Sequence, residues 1–211
     1  MIKFGLSKEA DYYARNINIT ERGSIFEVVI PGKDPITIKT KLLGKLNVLN
    51  IVCAVAIADK LGLSEEEIKT GARYIKAVPH RLELKQNVNG SIIIDDAYNS
   101  NNRGAKMALE VLKNFENKKR ILITPGIVEL GDKSEEINSE LGRNAADSSD
   151  FVILVGAKQA VPILKGLKEK NYPDDKIFIA KNLQEALSKM NQIVDNNSVV
   201  LLENDLPDNY L

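Results

Sequence analysis

The sequence predicts an α/β protein with a mostly parallel sheet in its larger C-terminal part, preceded by a smaller segment of strands and then helices. From residue 92 onward, short apolar runs such as Ile92-Ile93-Ile94 alternate with amphipathic helical segments. Short buried strands that alternate with helices are typical of a parallel sheet covered on both faces. Residues 1–40 instead alternate apolar and polar positions, as in a sheet with one solvated face.

The N-terminal segment begins as strands and continues as helices. Isoleucines alternate with polar residues at 17 and 19 and at 36 and 38, and the β-rich run 26–30 stops at a Pro-Gly turn. Apolar residues then take helical spacing over 47–61, and Gly62 follows as a helix C-cap. Ser64 and Glu67 show the capping-box pattern that opens a second helix.

Pro79 marks the expected domain boundary, because a proline forces the residue before it out of the helical conformation. We therefore expect two domains, residues 1–79 and 80–211. The second should contain strands at 92–94, 121–123, 151–155, 177–179 and 198–202, and helices at 104–112, 134–146, 159–169 and 182–194. In parallel sheets, ligands bind beyond the C-terminal ends of the strands. The segments after Ile94 and Ile123 are therefore the places to search for a site.

Composition excludes several classes of protein. The 211 residues include 29 Lys and Arg and 29 Asp and Glu, so the basic excess of a general nucleic-acid binder is missing. With one Cys and one His, we expect no metal ligands from this chain and no zinc site. No run of about 18 apolar residues predicts a membrane span. No signal-peptide core follows Met1, so the expected location is the cytoplasm.

The first polar cluster, Asp95-Asp96-Ala97-Tyr98-Asn99-Ser100-Asn101-Asn102, directly follows an apolar strand. Carboxylates at a strand end can hold ribose hydroxyls, and amides can bind a base or a substrate amide. The alternative is a polar turn in which Asn or Asp caps the next helix. The residue types alone leave both interpretations open.

Three further segments carry candidate residues. Glu129 lies on the glycine-containing run 124–131, where it could bind a cation or ammonium group or simply be exposed on a tight turn. Asn47 and Asn50 share a helix face, unless Asn47 is only the N-cap of that helix. Arg81 could grip a phosphate through both arms of its guanidinium group, or pair with Glu83. No G-x-x-x-x-G-K-[ST] phosphate loop occurs, and Gly44-Lys45 is followed by Leu46.

Taken in order, these motifs resemble the Mur ligase family. Leu43-Gly44-Lys45-Leu46-Asn47-Val48-Leu49-Asn50 is similar to a family element Leu-Gly-x-His-Asn-x-x-Asn, and His80-Arg81-Leu82-Glu83 follows it. Asp95-Asp96-Ala97-Tyr98-Asn99-Ser100-Asn101 and Val128-Glu129-Leu130-Gly131 look most like the branch that adds D-alanyl-D-alanine to UDP-MurNAc-tripeptide. The ending from Glu203 to Tyr210 is similar to that branch as well.

The resemblance implies a fold and a reaction. Residues 1–79 would be the C-terminal part of a central ATPase domain, after its phosphate loop, and residues 80–211 a complete C-terminal Rossmann-like domain. The upstream UDP-sugar and phosphate-loop domains would then be partners missing from this chain. The family uses ATP and Mg²⁺ to activate a carboxylate as an acyl phosphate, which an amine attacks. We therefore expect the isolated chain to have no ligase activity.

The resemblance also implies residue roles. Asn47 and Asn50 would lie near the adenine, Arg81 would meet the ATP phosphates, and Asp96 would hold the ribose with Tyr98 and Asn99 beside it. Asn101 and Glu129 would face the amine substrate.

The chain departs from the family pattern at three positions. Leu46 stands where the family often has His, Asn102 where Pro is usual, and Arg103 where an acidic or small residue is common. These departures motivate an alternative function, a noncatalytic nucleotide- or partner-binding module.

Overall fold

The computed structural model of the chain describes residues 1–204. They divide into two compact units, one from Met1 to Val78 and one from Pro79 onward. The part of the branch-like ending that follows Asn204 lies outside the described residues.

The first unit is a four-stranded sheet with two helices. Its strands β1 (Phe4–Gly5), β2 (Tyr12–Thr20), β3 (Gly23–Val29) and β4 (Ile36–Thr40) lie in chain order, and every neighbouring pair except β1 and β2 is antiparallel. Side chains of β4 alternate between buried and exposed, as a sheet with one solvated face requires. The buried face shares one core with helix α1 (Gly44–Lys60) and helix α2 (Glu65–Tyr74).

The helix ends of the first unit follow local sequence signals. Gly62 has a φ of 83°, and its N–H and that of Leu63 bond back to Asp59 and Ala58, which ends α1 as predicted. The predicted capping box of Ser64 and Glu67 opens α2. The interpretation of Asn47 as a helix N-cap is wrong. Helix α1 already begins at Gly44. The N-cap position is taken by the buried Leu43, which has an extended backbone conformation.

The second unit contains a six-stranded sheet in the order β5-β6-β10-β7-β8-β9. Its strands are β5 (Glu83–Gln86), β6 (Ile92–Asp96), β7 (Lys119–Thr124), β8 (Phe151–Val155), β9 (Ile177–Ala180) and β10 (Ser198–Glu203). Only β5 runs antiparallel to its neighbour. The predicted α/β class with a mostly parallel sheet is therefore confirmed.

Helices cover both faces of this sheet. They are α3 (Asn102–Lys113), α4 (Ser134–Ala146), α5 (Ala157–Glu169) and α6 (Leu183–Ile193). Helix α6 closes one apolar layer with strands β7 and β8, where Ile153 and Val200 are fully buried. Helices α4 and α5 approach each other closely. A Cβ atom on Gly142 would come within 2.1 Å of the Ile163 carbonyl oxygen. A glycine at position 142 is therefore required for the close approach of the two helices.

The structure differs from the sequence prediction at the strand ends. Strand β6 extends through Asp95 and Asp96, which were expected to follow it. Helix α3 starts at Asn102 rather than Gly104, because Asn101 caps it. Strand β5 was not predicted, since its four residues contain a single apolar side chain.

Candidate functional site

The candidate site lies at the edge of the second unit where the parallel strands β6, β10 and β7 end. Asp96 and Glu203 are paired neighbours at the ends of β6 and β10, and Thr124 ends β7. Because side chains alternate along a strand, Asp95 and Asp96 point to opposite faces of the sheet. The two adjacent carboxyl groups therefore lie in different environments.

Asp95 is buried in a network at the antiparallel edge of the sheet. Its Oδ2 accepts a hydrogen bond from Lys85 Nζ at 2.6 Å and lies 2.9 Å from His80 Nδ1. Burial raises the pKa of Asp95, but the hydrogen bond from Lys85 and further contacts outweigh this, and the pKa lies below its usual value. Lys85 also contacts Glu83 at 3.0 Å. Asp95 is therefore an ionised residue that holds β5 against β6.

Asp96 is half-buried on the other face. Its Oδ1 accepts a hydrogen bond from the Leu82 backbone N–H at 2.9 Å. Burial raises the pKa of Asp96, while the bond from Leu82 and the charge of Arg81 oppose the rise. Asp96 thus supplies a carboxylate acceptor at the sheet edge where ligands bind in parallel sheets. Its predicted role as the ribose-binding residue stays a prediction.

Glu203 is a fully buried carboxyl group beside Asp96 that was not predicted as a site residue. Its Oε1 accepts a hydrogen bond from the Ser100 hydroxyl. Burial, and then the charge of Asp96, raise the pKa of Glu203 to about 8. A proton on Glu203 can therefore be shared with Asp96 at neutral pH. No sequence signal joins the two residues, because only the pairing of β6 with β10 makes them neighbours.

Arg81 lies at the same edge of the sheet, close to Tyr98 and Asn99. Its Cζ is 4.4 Å from the centroid of the Tyr98 ring, and its Nη1 reaches the Asn99 carbonyl oxygen at 3.5 Å. The Tyr98 side chain is 65% exposed. The alternative pairing of Arg81 with Glu83 is not formed among the described residues, since Glu83 pairs with Lys85. The structure thus places Arg81, Asp96, Tyr98 and Asn99 at the same edge of the sheet, and their shared role in nucleotide binding stays a prediction.

Asn101 and Asn102 have structural partners at the start of α3. The Asn101 side chain accepts a hydrogen bond from the Gly104 N–H at 2.9 Å, which is the capping alternative raised for this cluster. Asn102 Nδ2 donates to Glu140 at 3.0 Å. The Nδ2 group of Asn101 is the part of its side chain that the cap does not use. The predicted substrate role of Asn101 stays a prediction.

Glu129 lies on the loop after β7, and buried amides hold that loop in place. Asn138 accepts a hydrogen bond from the Ile127 N–H at 2.8 Å and donates to the Ile127 carbonyl oxygen at 2.9 Å. Asn204 Nδ2 donates to the Gly126 carbonyl oxygen at 2.7 Å. Gly126 has a φ of 87°, and a Cβ atom there would meet Asn138 Oδ1 at 2.7 Å. The loop is therefore anchored to α4 and to the end of β10.

The loop borders a cleft of about 790 Å³ whose other walls are helices α4 and α5. The charged residues that line it are two carboxylates and two ammonium groups, Glu129, Glu135, Lys158 and Lys165. Lys165 and Glu135 pair at 2.8 Å. Glu129 and Lys158 are exposed. Asn101 does not line this cleft.

Asn47 and Asn50 belong to the first unit, where they lie on one side of α1. Asn47 Nδ2 donates to the Leu43 carbonyl oxygen at 2.8 Å, and Asn50 is exposed. Leu46, which replaces the usual family His, is 44% exposed. The predicted adenine contacts of both asparagines stay predictions.

Two further properties concern metals and membranes. Within residues 1–204, no group of three or more His, Cys, Asp or Glu side chains is arranged to hold a metal ion. No helix in that range is long and apolar enough to cross a lipid bilayer.

Comparisons with known proteins cover both units. Residues 80–203 match the family described as Mur ligase, glutamate ligase domain, and residues 1–58 match the Mur ligase middle domain. The UDP-N-acetylmuramoyl-tripeptide–D-alanyl-D-alanine ligase of Haemophilus influenzae is 32% identical over 193 residues, which are 91% of this chain and 41% of that protein. A 2,6-diaminopimelate-adding ligase of Clostridium acetobutylicum is 28% identical over 218 residues, with 99% of this chain and 43% of that protein covered.

Solved structures give the same result. The crystal structure of MurF from Acinetobacter baumannii superposes with a TM-score of 0.77 at 26% identity, over 97% of this chain and 43% of that chain. The chain thus spans less than half the length of the relatives it matches. With family matches on both units and a MurF-like fold, the chain belongs to the Mur ligase family.

Proposed function

We propose that the chain is a portion of an ATP-dependent amide ligase that adds D-alanyl-D-alanine to UDP-MurNAc-tripeptide in peptidoglycan precursor synthesis. In this proposal residues 1–79 are the end of the central ATPase domain, and residues 80–211 are the C-terminal Rossmann-like domain. One observation carries it. Arg81 lies beside Asp96 at the end of β6, while the loop after β7, two strands away in the sheet, borders a cleft with groups of both charges.

The residues at the end of β6 fit the ribose and phosphates of a nucleotide. Arg81 is exposed and carries a planar fork of donors suited to phosphate oxygens. Asp96 offers a carboxylate for ribose hydroxyls, and Tyr98 and Asn99 border it. The adenine contacts predicted for Asn47 and Asn50 belong to the first unit and are a separate part of the proposal. When bound with Mg²⁺, ATP supplies the phosphoryl group that activates a carboxylate for attack by an amine.

The cleft beside Glu129 fits a small zwitterion. D-Alanyl-D-alanine carries an ammonium group at one end and a carboxylate at the other. Glu129 would bind the ammonium group, and Lys158, in the first turn of α5, would bind the carboxylate. Lys158 lies at the positive end of a 13-residue helix, which favours an anion further. Asn101 lies outside the lining of this cleft, and its proposed contact with the amine substrate would come from the Nδ2 group that the α3 cap does not use.

The relatives leave the amine open, since ligases for D-alanyl-D-alanine and for diaminopimelate both match this chain. The motifs Asp95–Asn101 and Val128–Gly131 favour the first. The exposed Leu46 on α1 favours the second candidate function, a noncatalytic binding module. It stands where the family often has His, and a leucine side chain cannot make the polar contact of that histidine.

Calorimetry on the 211-residue chain separates these proposals. We expect heat of binding from D-alanyl-D-alanine in the presence of ADP, and weaker or no binding of L-alanyl-L-alanine and meso-diaminopimelate. Glu129→Gln should weaken binding about tenfold, which corresponds to 1.4 kcal/mol. The matched control is Glu136→Gln, an exposed neighbour outside the cleft. Tighter binding of diaminopimelate than of D-alanyl-D-alanine would overturn the proposed substrate assignment. If the chain binds neither ADP nor the dipeptide, the proposal of a working binding module is overturned.

A further inference from the structure

The end of β10 holds a buried acid that the proposed function does not use. Glu203 has no exposed surface, and strand pairing places it next to Asp96 on the same face of the sheet. A buried carboxyl group without a cation is costly unless it keeps a proton and finds hydrogen-bond partners. Its partners therefore indicate what it does.

Each oxygen of Glu203 has a different neighbour. Oε1 accepts the hydrogen bond from Ser100, which lies in the loop between β6 and α3. Oε2 is buried and has no donor from the described residues. The remaining group beside it is the Asp96 carboxyl, itself an acceptor, and a proton between the two satisfies both.

We propose that Glu203 is a positioning residue whose protonated carboxyl group holds both the Asp96 carboxylate and the Ser100 hydroxyl, and thereby fixes the loop 97–101. The nucleotide contact of Asp96 rests on the proposed function, whereas the hold on the loop does not. Because Ser100 and Asp96 flank Tyr98 and Asn99 in the sequence, one buried side chain sets both ends of this loop.

The charged groups around the pair place the proton on Glu203. Arg81 acts on Asp96 from the segment before β5 and favours its ionised form, while Asp95 disfavours it from the opposite face of β6. Asp96 is the charged group that acts on Glu203, and Ser100 contacts it from the loop before α3. Loss of the proton would place two negative charges side by side without solvent, and the loop would be released.

Carbon-13 NMR of the carboxyl groups tests the proposal on the whole chain. In the wild type, we expect the Glu203 carboxyl resonance to titrate near pH 8 and the Asp96 resonance to shift in the same step. Glu203→Gln keeps a donor to Asp96 without ionising, so the step at Asp96 should vanish while the fold is retained. Glu136→Gln, the matched loss of an exposed carboxylate, should leave the step unchanged. A Glu203 resonance that titrates in the ordinary acidic range would overturn the proposal.

Hydrogen exchange reports on the loop. About a tenth of Glu203 stays protonated at pH 9 if its pKa is about 8, so protection of residues 97–101 should fall about tenfold, after correction for the intrinsic rate. Glu203→Gln should remove this fall in protection. If the variant instead loses protection with rising pH as the wild type does, the positioning role is contradicted.

The pH dependence of ADP affinity separates the two proposals. We expect the affinity of the wild type to decline above pH 8 and that of Glu203→Gln to stay level. Absence of ADP binding by the wild type at every pH would count against the proposed function alone, since the NMR and exchange results do not depend on ADP.

Discussion

The guanidinium group of Arg81 stacks on the ring of Tyr98, with 4.4 Å between Cζ and the ring centroid. Both residues lie at the end of β6, but the chain reaches Arg81 before β5 and Tyr98 after β6. The stack therefore orients a flexible cation toward the sheet edge where Asp96 lies. Such a contact at an exposed position contributes about 0.5–1 kcal/mol.

Removal of the Tyr98 ring should weaken ADP binding. We expect Tyr98→Ala to lower the affinity about two- to fivefold, because Arg81 loses its orienting surface. Tyr98→Phe keeps the ring and should bind as the wild type does. Arg81→Lys should weaken binding more, since an ammonium group lacks the planar fork. Calorimetric titration of the three variants measures this, and equal affinity of Tyr98→Ala and wild type would refute an orienting stack.

The stability of the chain should fall as pH rises from about 5 to 8. Glu203 has a folded-state pKa of about 8 against an ordinary value of 4.5, so the folded state holds more protons in this window. The contribution of the protonated Glu203 to the free energy of unfolding is then fully present at the low end of this pH range, and it is lost as the pH rises toward 8. The raised pKa of Asp96 acts in the same direction.

Glu203→Gln should remove most of this pH dependence. The variant should unfold at the same urea concentration at pH 5.5 and pH 8, whereas the wild-type midpoint should drop between them. Carboxylates with lowered pKa values, such as Asp59 and Asp150, change stability only in more acidic solution and do not obscure the window. A wild-type midpoint that does not move over this range would contradict the prediction.

Asn138 should matter for stability although it carries no charge. Its amide satisfies both backbone groups of the buried Ile127, so Asn138→Ala leaves them without partners. We expect a loss of about 2–4 kcal/mol in the free energy of unfolding. Asn191→Ala, on the exposed side of α6, is the control and should cost under about 0.5 kcal/mol. Urea titration gives both values, and similar losses would show that the loop does not depend on Asn138.

The sequence was informative where the signal was local. The capping box at Ser64, the glycine cap at Gly62 and the limits of helix α4 depend on neighbouring residues, and all three are confirmed. Strand β5 was missed because an edge strand half in solvent needs few apolar residues.

The site was predicted less completely, because its geometry depends on pairing between distant segments. Alternation along β6 separates Asp95 from Asp96, yet a sequence run of two acids suggests a single acidic group. Glu203 joins Asp96 only through the pairing of β6 with β10. Asn138 lies within the predicted helix 134–146 without any signal that marks it, and only the structure shows it buried against the Glu129 loop.

Ligation by a reconstituted enzyme tests the central claim most directly. The 211-residue chain is fused to the upstream portion of the Haemophilus influenzae relative and incubated with UDP-MurNAc-tripeptide, ATP and Mg²⁺, and the chain alone serves as the comparison. We predict ligated product and ADP release that depend on D-alanyl-D-alanine in the fusion, and no turnover by the chain alone, which lacks a phosphate loop. ADP release that does not depend on D-alanyl-D-alanine, or turnover by the isolated chain, would contradict the account.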